Sequence, residues 1–310
     1  MYFELVSRKI GKEIVSVSME KPVNLQSKGR RLFGILHPAE NNGRKMGIIF
    51  LNAGLQYRVG PHRIYVKAAR RFSGIGFSVL RMDFAGIGES EGEIEYGGVD
   101  IDYFDIADTL GAIDFLTKEE EVEKIILLGI CAGARNALKA AAKDHRVDSI
   151  ISWSLPFIYG SENPVKNDSI SEIAAKYYLR GVMKKALNVR AWKSYLFSDK
   201  YLYLIKNVFW VLGRKKNKDY SERQREFFEA FETFIFSGRK ALFIYGEKEI
   251  IPIEEFKIKL EEFSQGKGHA CELYIVPNGD HTFLSREAER DVIEKTAGWL
   301  AKEYNEGKLG

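Results

Sequence analysis

From residue 46 onward one pattern recurs along the chain: a short β-branched or leucine-rich run, a turn containing glycine, then a longer run with helical spacing. Strands that alternate with helices in this way line up parallel, because each helix carries the chain back to the same end of the sheet. MGIIFLN (46–52), GFSVLRMD (76–83), KIILLG (124–129), DSIISWS (148–154), KALFIYG (240–246) and ELYIVP (272–277) read as the strands. Gly60-Pro61 opens a helix through RIYVKAARRF, which Gly74 can close by accepting the positive φ of a C-terminal cap. Tyr103, Ile106, Leu110, Ile113 and Leu116 form the apolar stripe of another helix, and Val292, Ile293, Ala297 and Leu300 that of the last. Ahead of the alternation, EIVSVSME and RRLFGILH read as an antiparallel pair at the sheet edge. The expected class is α/β, a mostly parallel eight-stranded sheet flanked by helices, and 310 residues with 45% apolar side chains suffice for its core.

The alternation breaks over 158–237, a stretch rich in Tyr, Phe, Trp and Lys with helical spacing and no convincing strand. It reads as a helical cap inserted between two parts of one α/β core, 1–157 and 238–310. Its charge is lopsided: between Lys176 and Arg225, fourteen Lys and Arg face only Asp199, Asp219 and Glu222. Such a patch is either a solvated surface or a lid that attracts an anionic ligand.

Within LLGICAGARNAL (127–138) an apolar strand runs through small residues into an Ala-rich helix, with one of the chain's two cysteines at the turn. A nucleophile elbow needs a strand that stops, one residue in a strained conformation, and a helix that starts at once. Residues two before and two after the nucleophile must be small, because the backbone there passes too close to its neighbours. Gly129-Ile130-Cys131-Ala132-Gly133 meets each demand, and the N-terminus of the following helix favours an anionic sulfur. Downstream, Gly246-Glu247-Lys248-Glu249 follows one strand and Asn278-Gly279-Asp280-His281-Thr282-Phe283 the next. The order nucleophile, acid, base makes Cys131, Glu249 and His281 the candidate catalytic residues, with Glu247 a rival acid. The backbone amide of Ala132, and a second from Leu55 or Gly54 in the loop Asn52–Arg58, are the candidate oxyanion donors. Arg58 and His62, close to that loop, and Arg135, one turn beyond Cys131, are candidate substrate contacts. Asp83, Ser90 and Asp280 read as residues that order their turns, and Cys271 as filling.

The chain resembles an α/β-hydrolase of the serine aminopeptidase-like branch. DFAGIGESEG (83–92) resembles that fold's D-x-R-G-x-G-x-S turn, GEKE (246–249) its acid loop and GDHTF (279–283) its histidine loop. GLQYRVGPHRIYVKAAR and VLRMDFAGIGESEGE are similar to exosortase-associated hydrolases. The cysteine is similar to that of dienelactone hydrolases, which use Cys, Asp and His. The sequence departs from these patterns in Cys for Ser at the elbow, Asn52-Ala53-Gly54 for the usual His-Gly of the oxyanion loop, and Glu for Asp as the acid.

The resulting expectation is a Cys-dependent esterase or thioesterase working through an acyl-thioenzyme on a small-molecule or carrier-linked substrate. An acyltransferase using the same residues and a non-catalytic binding protein with a basic cap are the alternatives. Two cysteines without nearby histidine pairs make a poor zinc site, and neither a metal nor an organic cofactor is expected. No nucleic-acid recognition motif accompanies the charge. MYFELVSRKIGK lacks the apolar run of a secretory signal, and runs such as VFWVL (208–212) are too short to span a bilayer, so a cytoplasmic location is expected.

Overall fold

Strands with continuous apolar runs belong in the middle of a sheet covered on both faces, and the four richest ones do lie there. A computed structural model describes residues 20–40, 45–94, 104–157, 218–249, 253–264 and 271–304. Its strands are β1 (Lys21–Ser27), β2 (Arg30–His37), β3 (Met46–Leu51), β4 (Ser78–Met82), β5 (Lys124–Ile130), β6 (Val147–Trp153), β7 (Lys240–Gly246) and β8 (Cys271–Val276). They form one sheet in the order β1-β2-β4-β3-β5-β6-β7-β8. β2 runs antiparallel to both β1 and β4, and every other pairing is parallel.

Successive side chains of a strand feed opposite faces, so each face builds its own core. Ile49, Leu51 and Leu127 join α2 (Ile106–Glu119), α3 (Ala132–Lys143), α4 (Lys218–Phe236) and α5 (Glu254–Ser264) on one face. Ile48, Phe50, Ile126 and Leu128 join α1 (Ile64–Ser73) and α6 (Arg286–Glu303) on the other. Side-chain caps fix two helix starts: Asp105 accepts from the Ala107 amide and Ser285 from the Ala288 amide.

Three expectations change. The partner of β2 is KPVNLQS rather than EIVSVSME, of which residues 13–19 lie outside the described residues. The other edge of β2 is taken by β4 and by the turn after it, where Ser90 Oγ accepts from the Phe33 amide and donates to the Asp83 carbonyl. Gly74, at φ −64°, does not use glycine's freedom; Gly76, at φ 95°, carries the reversal into β4. Finally, the end of the expected cap is α4, whose Phe227, Phe231 and Phe234 are fully buried in the core against α3 and the sheet. Residues 158–217, with most of the basic run, lie outside the described residues.

Candidate active site

β5 ends at Ile130, and Cys131 takes φ 55° and ψ −116° before α3 begins at Ala132. A non-glycine residue in this region stores about 1–3 kcal/mol of backbone strain and persists only where its surroundings enforce it. Here the enforcement is visible. A Cβ on Gly129 would lie 2.2 Å from the Gly133 carbonyl carbon, and one on Gly133 would lie 2.5 Å from the Leu51 oxygen. Strand, helix and the end of β3 therefore converge to a separation that only glycine tolerates. The Cys131 amide donates to the Trp153 carbonyl at 3.1 Å, which ties the elbow to β6, and its side chain is half-buried.

The loops after β7 and β8 are stitched together. A Cβ on Gly246 would stand 2.4 Å from the Gly279 oxygen, and the Lys248 amide donates to that oxygen at 2.7 Å. Asp280 Oδ1 accepts from the amides of Thr282 and Leu284, which folds the histidine loop on itself. His281 Nδ1 then lies 2.8 Å from Glu249 Oε1, with the glutamate side chain only 3% exposed. Cys131 is the other group close enough to act on the imidazole electrostatically. Burial opposes charge on the ring, but the interactions with Cys131 and Glu249 prevail and hold His281 well above the usual histidine range. Glu247 points elsewhere: it is exposed and accepts from the Asn278 amide at 2.7 Å.

The loop after β3 is set from behind by two buried polar residues. Asn52 Nδ2 donates to the Gln56 carbonyl at 2.8 Å, while its Oδ1 accepts from the Phe84 amide at 3.0 Å. Asp83 Oδ1 accepts from the Arg58 amide at 2.5 Å. Between these anchors the Gln56 amide closes a turn onto the Ala53 carbonyl, with Gly54 at φ 58° and Leu55 at its tip. Ala132, the other candidate amide, opens α3.

The profile of the serine aminopeptidase S33 hydrolases matches residues 46–232. The chain belongs to this family. The matched stretch holds Cys131 but ends before Glu249 and His281. The S33 hydrolase also shares its α/β-hydrolase fold with solved structures of low sequence identity. The esterase Pf2001 of Pyrococcus furiosus superposes with a TM-score of 0.64 at 16% identity, covering 96% of each chain. Est1E of Butyrivibrio proteoclasticus, solved with ferulic acid, gives 0.56 at 17% identity over 90% of this chain and 99% of that one. An α/β serine hydrolase homologue from Coxiella burnetii gives 0.53 at 14% identity over 89% and 96%. No curated protein matches the chain.

The remaining candidate residues of this S33 hydrolase are engaged with its own framework. The Arg58 guanidinium pairs with Asp83 and Glu89 and lies over the Phe33 ring. His62 Nδ1 sits 2.7 Å from Glu289 Oε2, and its Nε2 sits 2.8 Å from the Thr282 carbonyl, one residue past His281. Arg135 is fully buried, donates to the Pro156 carbonyl and Gln224 Oε1, and stacks 3.5 Å from the Phe227 centroid, pinning α4 to α3. Cys271, at the start of β8, has its thiol pushed up to about 11 by burial. Sequence reasoning passed over Tyr65, whose hydroxyl touches the strand ends that carry the site. Its place in the apolar stripe of α1 gives it the look of ordinary core. Among the described residues no group of three or more His, Cys, Asp or Glu could hold a metal ion, and no helix is long and apolar enough to cross a membrane.

Proposed function

We propose that this hydrolase cleaves esters or thioesters with Cys131 as nucleophile, His281 as acid and base, and Glu249 as the group that orients and charges the imidazole. The observation that carries the reading is the His281 ring bonded to a buried carboxylate and held charged by its interaction with the cysteine of a strained elbow.

The thiolate sulfur attacks the substrate carbonyl carbon, and the carbonyl π electrons move to oxygen. Amides of Ala132 and of Leu55 or Gly54 receive that oxyanion, each such donor contributing about 3 kcal/mol to the transition state. Collapse breaks the bond to the leaving group, which takes its proton from the His281 imidazolium. Water, deprotonated by His281, then attacks the thioester; the acid leaves and the thiolate returns. With Arg58 and Arg135 engaged internally, these two arginines give no support to an anionic substrate.

Intact mass measurement after brief exposure to activated acyl esters and thioesters tests the proposal. Wild type is expected to gain one acyl mass that Cys131→Ala never shows, and hydrolysis by that variant is expected to fall by at least about 1000-fold. Hydrolysis undiminished in Cys131→Ala would overturn it. An adduct that decays faster with added alcohols or amines, yielding acylated acceptor, would move the reading to an acyltransferase.

A further inference from the structure

Tyr65 lies on α1 with its ring fully buried, edge-on to Phe50 at 4.9 Å between centroids. Its hydroxyl donates to the Leu51 carbonyl at 2.8 Å and accepts from the Ile130 amide at 2.9 Å. Leu51 and Ile130 are the last residues of the neighbouring strands β3 and β5, whose parallel register ends at the pair Leu51 and Gly129. The hydroxyl thus sits where the two strands part, bonded to one group on each. The next residue along β3 is Asn52, which opens the oxyanion loop, and the next along β5 is Cys131. The phenol is braced from outside as well, since Gly60, at φ 69°, presses so near that a Cβ there would lie 2.9 Å from the Tyr65 ring. Burial, reinforced by nearby Cys131 and opposed by the Ile130 amide, holds the phenol far above its ordinary range, so it stays neutral and able to donate.

We propose that the Tyr65 hydroxyl is a positioning group that sets the spacing between the nucleophile elbow and the oxyanion loop by bridging Ile130 N and Leu51 O. The inference rests on the acyl chemistry proposed for Cys131. Its signature is selective, because only reactions that develop an oxyanion depend on that spacing. Attack on an ester carbonyl does so. Alkylation by iodoacetamide does not, since the sulfur forms a bond to a saturated carbon while the carbon–iodine bond breaks and iodide leaves.

The test compares wild type and Tyr65→Phe in two reactions: acylation by p-nitrophenyl esters of graded chain length, and alkylation by iodoacetamide. The acylation rate is expected to fall about 10- to 100-fold with KM changed by less than about threefold, as displacement of an oxyanion donor demands. Alkylation is expected to stay within about twofold of wild type. Acylation that also stays within about twofold would overturn the proposal, as would a parallel loss of both reactions, which marks general damage. Should Tyr65→Phe fail to fold, Gly60→Ala keeps the hydroxyl but displaces the ring. It is expected to give the same split, and a parallel loss there would again overturn the proposal. A wild type that is alkylated but never acylated by any ester would instead remove the acyl chemistry at Cys131, and the role of Tyr65 with it.

Discussion

Two glutamates leave β7 two positions apart, and the backbone turn between them sends Glu247 to the surface and Glu249 under His281. Glu249→Gln removes the negative partner that helps hold the imidazole well above the usual histidine range, so the ring should deprotonate at lower pH. The basic limb of kcat/KM against pH is expected to move to lower pH, with kcat reduced about 10- to 100-fold. Glu247→Gln still accepts from the Asn278 amide and is expected to change kcat/KM by less than about twofold. A pH–rate series on both variants checks the pair. Sequence alone marked the loop but left both acids open, because spacing along a turn does not say which carboxylate faces His281. Cys131 was more legible: Gly129 and Gly133 announce the close approach that strains it. Tyr65 carried no such mark, since a tyrosine whose hydroxyl spans two strands and one that only fills space have the same helical spacing.

At the scale of elements, the parallel strands were plain because burial on both faces demands unbroken apolar runs. β1 was not. KPVNLQS carries Pro22 and alternating polar residues, which only an edge strand tolerates, whereas EIVSVSME has the stronger strand pattern. Helical spacing likewise revealed α4 but not what it packs on. Its aromatic face lies in the core: Phe157 meets Phe227 at 6.2 Å and Phe231 at 5.0 Å between centroids. Phe231→Ala is therefore expected to cost about 3–5 kcal/mol in denaturant unfolding. Phe236→Ala, at a position 54% exposed, is expected to stay within about 0.5 kcal/mol. Equal effects would mean that α4 does not belong to the core.

Across the whole molecule, acid tolerance is expected to depend on a buried histidine remote from the elbow in the chain. His37 on β2 is fully buried and accepts from Arg81 Nε on β4 at 2.9 Å. Burial, aided by the charge of Arg81 and opposed by Glu20, pushes it down to about 4 from 6.5. A depressed histidine contributes its full stability above the unfolded value and loses it as pH falls toward the folded one. Between pH 6.5 and about 4 the fold should lose up to about 3 kcal/mol on this account. His37→Gln, which keeps an acceptor for Arg81, should flatten that part of the Tm–pH curve; an unchanged slope would assign the acid sensitivity to other groups.

The order of the clustered residues along the chain also governs when the cluster can exist. Cys131 leaves the ribosome with β5, but Glu249 and His281 follow β7 and β8 at the far side of the sheet. At ordinary rates of synthesis, roughly 8–30 s separate Cys131 from His281. Through that interval the nascent chain carries Cys131 without His281, so the acyl chemistry proposed for the pair must wait until the last strand has closed the sheet.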